Sequence, residues 1–328
     1  MMKLSKMQEL LKTVDGEWRS PIAEAILKNW DYDEGSVFFL RASANFIFVF
    51  KRNQKRYFLR FNHEEERGKQ SIEAEMNILE HLENFSSFNV AKPIKSLHGN
   101  FIEVVDTEIG RYNAVVFEGL KGKHYEMEEI TTEQAYLWGQ TLGKLHECFK
   151  KLPENLTINR PSWRTSLVKA SEILAIHEKT AYEELIRISK WAEGLNISKE
   201  NFGMIHYDFE LDNVLFDNRM LGILDFDDCM SNWYLADIVY ALRDAGEFTM
   251  QSLIINKFIE GYESETKLDS SLLVHAQEFM RIHELVTFAA LIRSVDIEES
   301  TDHPEWLINL RRKLSERIDR YRKHSKRN

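Results

Sequence analysis

The 328-residue chain has few of the residues that build covalent or turn-rich scaffolds. Its two cysteines, Cys148 and Cys229, lie far apart and outside any Cys-x-x-Cys pair. That argues against a disulfide framework and against a cysteine zinc site, and both read as small buried residues. Glycine (14) and proline (5) are too scarce for a collagen-like or low-complexity chain, and they disfavour an all-β fold of many tight turns. Long apolar runs are missing as well. Phe46–Phe50 is the longest in the first half, far short of the ~20 residues a membrane helix needs. Met1–Gly16 mixes charges throughout and does not resemble a signal peptide. The expectation is a reduced, cytoplasmic protein that makes no membrane contact.

Several catalytic motifs are absent. Gly68-Lys69 lacks the upstream glycine and the following Ser/Thr of a P-loop. His146-Glu147 has Lys150 where a zinc protease needs its second histidine, and no Gly-x-Ser-x-Gly occurs. Positive charge is in deficit, with a net charge of −10, so nucleic acid is not an expected partner. The exception is Arg311–Asn328, with nine basic residues against two acidic ones. Leu310, Leu314 and Ile318 form a helical stripe there, which reads as a docked terminal helix with a solvated basic face.

What is present is ordinary for a globular protein: 43% hydrophobic and 29% charged residues. Residues 1–30 have helical spacing. Val37–Leu40, Phe46–Phe50 and Tyr57–Phe61 are short aromatic and β-branched runs, which predict a three-stranded antiparallel meander. A helix over Ser71–Leu82 and strands at Phe101–Val105 and Tyr112–Phe117 follow. After Gly119 the pattern is helical. Helices are expected over Thr131–Phe149 (capped by Thr131 or Thr132), Ser166–Glu193, Leu235–Arg243, Thr249–Tyr262, Leu272–Arg293 and Glu305–His324. A hairpin turning at Asp217-Asn218-Arg219 interrupts them. The reading is an α+β, two-lobed protein. Its first lobe (1–118) is a small antiparallel sheet with one covering helix and an N-terminal helix, and its second lobe (119–328) is larger and mainly helical.

The chemistry concentrates in His206-Tyr207-Asp208-Phe209-Glu210-Leu211-Asp212-Asn213 and, beyond the hairpin, Asp225-Phe226-Asp227-Asp228. The hairpin returns the chain, so Asp225 comes beside Asn213. One carboxylate and one amide oxygen suit Mg²⁺, which takes few protein ligands and completes its shell with phosphates and water. Asp208 is then free to accept a proton from a substrate hydroxyl. Metal charge and an oriented nucleophile are what phosphoryl transfer requires. Two rival readings fail. A haloacid-dehalogenase strand from Asp225 would need Thr or Val where Cys229 stands. An EF-hand loop would need Gly where Met230 stands.

His-x-Asp-x4-Asn followed by Ile-x-Asp-Phe-Asp resembles the catalytic core of the aminoglycoside phosphotransferase and choline kinase family, which shares the protein-kinase fold. The resemblance covers roughly residues 35–295. It implies that Asp208 is the catalytic base and that Asn213 and Asp225 hold the metal. Leu142-Gly143-Lys144-Leu145-His146 resembles the family's Leu-Gly-x-x-Leu-His helix, and Asp237 resembles the downstream Asp that steadies the catalytic loop. Phe117–Gly122 looks like the interlobe hinge, with backbone groups near Glu118 and Leu120 meeting adenine. Arg60 stands where protein kinases carry lysine, and Glu75 is positioned to pair with it. The loop Arg41-Ala42-Ser43-Ala44-Asn45 has no glycine, yet its small residues let backbone N–H groups and Ser43 approach phosphates. His206 reads as a brace rather than a reactant. Asp227 and Asp228 either cap the turn or orient substrate.

These readings imply a phosphotransferase that uses ATP and Mg²⁺ on a hydroxyl of a small molecule. The acidic helical lobe suits an amine-bearing acceptor such as an aminoglycoside, an amino alcohol or a homoserine-like compound. The alternatives are a bacterial stress-response-type serine/threonine kinase of the same family, or a nucleotide-binding scaffold with weak catalysis.

Overall fold

A computed structural model of the chain describes residues 1–325. Two short helices open it, α1 (Leu4–Leu11) and α2 (Pro21–Leu27). Ser20 caps α2 and Pro21 occupies its first turn, where a missing N–H costs nothing. The meander follows as β1 (Phe38–Ala42), β2 (Phe46–Arg52) and β3 (Lys55–His63). Asn53 and Gln54, both at positive φ, make the two-residue turn between β2 and β3. The Asp33 carboxylate accepts both of their N–H groups, at 3.0 and 3.1 Å. Helix α3 (Lys69–Leu82), the two-residue strands β4 (Asn89–Val90) and β5 (Pro93–Ile94), and the hairpin β6 (Glu103–Thr107) and β7 (Gly110–Glu118) complete this half.

The sheet runs β1-β2-β3-β7, with β5 and β6 sharing the far edge of β7. Period-2 alternation sends Phe46, Phe48 and Phe50 to one buried face, against Phe61, Leu59 and Tyr57 of β3. Helix α3 covers the other face, so Arg60 is buried as well, with its side chain directed at the helix.

The second half holds α4 (Thr132–Phe149), α5 (Trp163–His177), α6 (Lys179–Glu193), β8 (Phe202–Ile205), the hairpin β9 (Val214–Asp217) and β10 (Met220–Ile223), β11 (Met230–Trp233), α7 (Tyr234–Ala241), α8 (Leu253–Glu263), α9 (Ala276–Ser294) and α10 (Glu305–Ser325). Thr131 is the cap of α4, in a reciprocal capping box with Gln134. The single helix expected over Ser166–Glu193 is two helices. Glu178 leaves helical geometry (φ −143°, ψ 74°) and binds Arg322 of α10 instead. The stretch expected as the start of a helix at Leu272 is a 3₁₀ segment, Ser270–His275, leading into α9. Strands β8 and β11 pair antiparallel and were not legible as strands. Hence Asp208 follows a strand rather than a helix.

The halves are joined by more than the linker. β4 pairs parallel with β10, Asn89 opposite Gly222 and Val90 opposite Ile223. Helix α1 packs on α10, where Leu307, Leu314 and Ile318 are buried, Arg312 pairs locally with Glu316, and Arg322 pairs with both Asp319 and the distant Glu178. Lys326 and Arg327 of the basic tail lie outside the described residues. Cys148 and Cys229 are buried and free. Among the described residues no helix is long and apolar enough to cross a membrane.

Helices α4 and α8 cross in close contact because glycines meet there. A Cβ on Gly139 would fall on the carbonyl of Phe258, and one on Gly261 on that of Tyr136. Both obstacles are backbone, so neither has a side chain to swing away. We expect Gly139→Ala to destabilise the protein by about 1–3 kcal/mol, the scale of core overpacking, despite alanine's better helix propensity. A thermal melt at or above the wild-type midpoint would show that the helices separate without cost.

Candidate active site

Strand β8 delivers the chain to His206, and the loop that follows is shaped by one carboxylate. Asp237, in the first turns of α7, accepts the N–H of His206 (2.8 Å) and of Tyr207 (2.8 Å). Tyr207 is left-handed, φ 74°, a conformation that needs such support. His146 of α4 bridges Asp237 through Nε2 (2.9 Å) and the Tyr262 hydroxyl through Nδ1 (2.8 Å). A carboxylate only accepts, so Nε2 carries the proton. His206 is fully buried with Nε2 3.0 Å from the Leu224 carbonyl, and burial lowers its pKa. It braces the loop against the strand that returns.

That brace brings the expected groups together. Asn213 donates through Nδ2 to both the carbonyl and Oδ2 of Asp208, each at 2.9 Å. Register places Ile223 opposite Val214, and Leu224 N–H donates to the Asn213 carbonyl at 2.9 Å, so Asp225 emerges beside Asn213. Asp225 is itself left-handed (φ 58°, ψ 66°), a strain of about 1–3 kcal/mol for a non-glycine residue. Its Oδ1 is buried without a hydrogen bond, and burial together with Asp227 raises its pKa well above the usual carboxylate value. An orphaned carboxylate oxygen beside an amide whose N–H₂ is engaged elsewhere is a hard-oxygen pair fit for a divalent cation.

Arg60 and Glu75 form a buried fork, Nη1 to Oε1 at 2.8 Å and Nη2 to Oε2 at 2.6 Å. Their side chains are only 6% and 1% exposed, so this is not a surface ion pair. Arg60 Nη1 also lies 3.6 Å from Asp225 Oδ1, and its guanidinium sits over the Phe117 ring. Because Glu75 takes the fork, phosphate would meet the guanidinium's remaining N–H groups. These residues close one end of a cavity of about 530 Å³ between the lobes. Phe58, Phe117, Leu215 and Leu224 line its apolar part, with Glu118 and Leu120 along the hinge. Leu40 and Arg41 of the β1–β2 region reach this cavity and Ser43 does not. Ser43 is tied up by backbone bonds to Asn45 and Met2.

Several site residues were not found in the sequence. Asn45 donates to Asp227 Oδ2 at 2.8 Å, which fixes the glycine-free loop to the far lobe. Arg67 binds Asp227 (3.3 Å) and Asp228 (2.8 Å). Burial would raise the Asp227 carboxyl, yet Arg67, Arg60 and Asn45 hold it down at about 2. Arg243 donates to Asp208 Oδ1 at 3.0 Å and to Glu210. Burial and neighbouring Asp208 push the Glu210 carboxyl up to about 7. The only sequence signal for Arg243 was its place under two helical turns after Asp237.

A two-lobed fold with a hinge-side cavity, and an Asp–Asn–Asp cluster of which Asp225 reaches that cavity, defines a kinase-like phosphotransferase. The profile of the phosphotransferase enzyme family (APH) matches residues 40–271, and the chain belongs to that family. It is an enzyme of that class, a kinase. It is 25% identical to the amicoumacin kinase of Bacillus subtilis (strain 168) over 313 residues, 89% of this chain and 90% of that one. Its fold is similar to that of the amicoumacin kinase hAmiN in complex with AMP-PNP, Ca²⁺ and Ami (TM-score 0.75, 20% identity, 93% of this chain and 95% of that chain). It is also similar to a microcompartment-associated aminopropanol kinase (TM-score 0.66, 18% identity, 93% and 98%).

The Arg60–Glu75 pair makes a testable claim. Removing either partner strands a buried charge, so Arg60→Ala and Glu75→Ala should each lower stability by about 3–5 kcal/mol. The double variant should cost clearly less than the sum. Additive urea-denaturation energies would mean that the two side chains act independently.

Proposed function

We propose that the protein transfers the γ-phosphate of ATP to a hydroxyl of an amine-bearing small molecule, with Mg²⁺ as the metal. The observation that carries this reading is the convergence of Asp208, Asn213 and Asp225: Asn213 binds Asp208, the hairpin returns Asp225 beside Asn213, and Asp225 lines the interlobe cavity. Residues 1–118 form the nucleotide lobe and 119–328 the catalytic and acceptor lobe. Backbone groups near Glu118 and Leu120 meet adenine. Arg60, held by Glu75, meets the phosphates. Asn213 Oδ1 and the Asp225 carboxylate would hold the metal, and a divalent ion there would supply positive charge to the phosphates.

Asp208 accepts the proton of the acceptor hydroxyl. Both of its oxygens have partners, Asn213 on Oδ2 and Arg243 on Oδ1, so the carboxylate is oriented before substrate arrives. The acceptor enters on the side of Asp208, Glu210 and Asp228, whose carboxylates are held by Arg243 and Arg67, and a cationic amine would compete with those guanidinium groups for them. Amicoumacin kinase and aminopropanol kinase, the relatives named above, support an amino-bearing acceptor, and the complex with AMP-PNP and Ca²⁺ supports ATP and a divalent ion. A cytoplasmic location follows from dependence on ATP and agrees with two unpaired cysteines.

Asp208→Ala should leave Mg·ATP binding near wild type and lower turnover at least ~10²-fold, the scale of a lost general base. Asp225→Asn should weaken Mg²⁺-dependent nucleotide binding with the fold intact. Initial rates with amine-bearing alcohols, and calorimetry with Mg·AMP-PNP, check both. Wild-type turnover in Asp208→Ala would remove it from the role of base.

A further inference from the structure

Arg160 lies in the loop before α5, is buried, and has no place in the sequence motifs. Four of its hydrogen bonds go to backbone carbonyls. Nε donates to Cys229 (2.9 Å), Nη2 to Phe226 (3.0 Å) and Asp227 (2.6 Å), and Nη1 to Ser71 (3.1 Å). The first three carbonyls belong to the turn that leaves Asp225. The fourth is in the first turn of α3, one turn before Glu75. A desolvated guanidinium given over to main-chain oxygens recognises no charged ligand. What it fixes is the shape of the turn and its distance from the helix.

The surroundings hold Arg160 itself in place. Ser231 N–H donates to the Pro161 carbonyl at 3.0 Å, and Ser162 bridges Ser231 in parallel. The segment that carries Arg160 therefore runs beside the segment it clamps. The turn needs a clamp, because Asp225 is left-handed without being glycine, and the 3₁₀ residues Phe226–Asp228 leave carbonyls facing inward. Lysine in this position has a single ammonium and cannot span four oxygens in two elements.

We propose that Arg160 is a positioning residue that locks the Asp225 turn to helix α3 and thereby sets the metal-holding carboxylate against the Arg60–Glu75 pair. It acts through the backbone and touches neither nucleotide nor acceptor. The inference rests on the reading of Asp225 as a metal ligand for Mg·ATP.

Two readouts test it. The first is thiol labelling by a disulfide reagent in the absence of metal and nucleotide. Cys229 sits at the end of the clamped turn and Cys148 on α4, both buried and free. Arg160→Ala and Arg160→Lys should label at Cys229 at least ~10-fold faster, with Cys148 unchanged, as follows from local rather than global opening. Equal acceleration at both thiols, or none, overturns the inference. The second is calorimetry of AMP-PNP with and without Mg²⁺. The Arg160 variants should lose most of the tightening that Mg²⁺ gives while keeping metal-free affinity within about twofold. Free guanidinium ion should restore part of that tightening in Arg160→Ala and none in Arg160→Lys. If Asp225→Asn loses the Mg²⁺ effect and the Arg160 variants keep it, the positioning role is wrong and the metal reading stands. If the wild type shows no Mg²⁺ effect, the metal reading falls, and the positioning role falls with it.

Discussion

The Asp237 carboxylate is completely buried, and a buried carboxylate is tolerable only where donors surround it. Here the donors are the N–H groups of His206 and Tyr207 and the ring of His146. Satisfying that one charge forces the chain after β8 into a left-handed residue and turns Asp208 out toward the cleft. It also ties three distant segments, α4, α7 and the catalytic loop, to a single point. The hairpin β9–β10 then returns Asp225 to Asn213 by register alone.

The lobes share one hydrophobic core, and at the cleft polar contacts add to it. Asn45 of the β1–β2 loop binds Asp227, Arg67 binds Asp227 and Asp228, and Arg60 faces Asp225. Each contact joins a sheet-lobe residue to the turn after β10. A glycine-free loop fits this arrangement. A loop of side chains can be latched by an asparagine, whereas a glycine loop offers only backbone. Phosphates would therefore enter beneath a loop that is already fixed, and Leu40 and Arg41 reach the cavity where Ser43 does not.

The motif was legible because phosphoryl transfer requires particular groups close together, and a short hairpin keeps them close in sequence. His206, Asp208, Asn213 and Asp225 span twenty residues, so local geometry sufficed to bring them together. The Arg60–Glu75 pair was legible through the family resemblance, which set Arg60 on the third strand and Glu75 on the helix that follows. The break at Glu178 was not legible. No glycine or proline marks it, and the partner that Glu178 binds there, Arg322, is 144 residues away. Strands β8 and β11 were missed because four-residue strands in a mixed stretch carry too little periodicity to separate from loop.

The sequence by itself determined the α+β order, the buried faces of the meander and the catalytic cluster, since each depends on residues within a turn or a hairpin of one another. Only the tertiary structure decided how those parts are held. Arg160, Arg67, Asn45 and Arg243 come from four separate segments and show no periodicity or motif, because a long polar side chain is placed by the acceptors it reaches and not by its neighbours in the chain. Asn45 and Arg160 are buried, and Arg67 and Arg243 are partly so. A guanidinium or amide enclosed by protein must find partners there, and the partners named above lie 33 to 182 residues away.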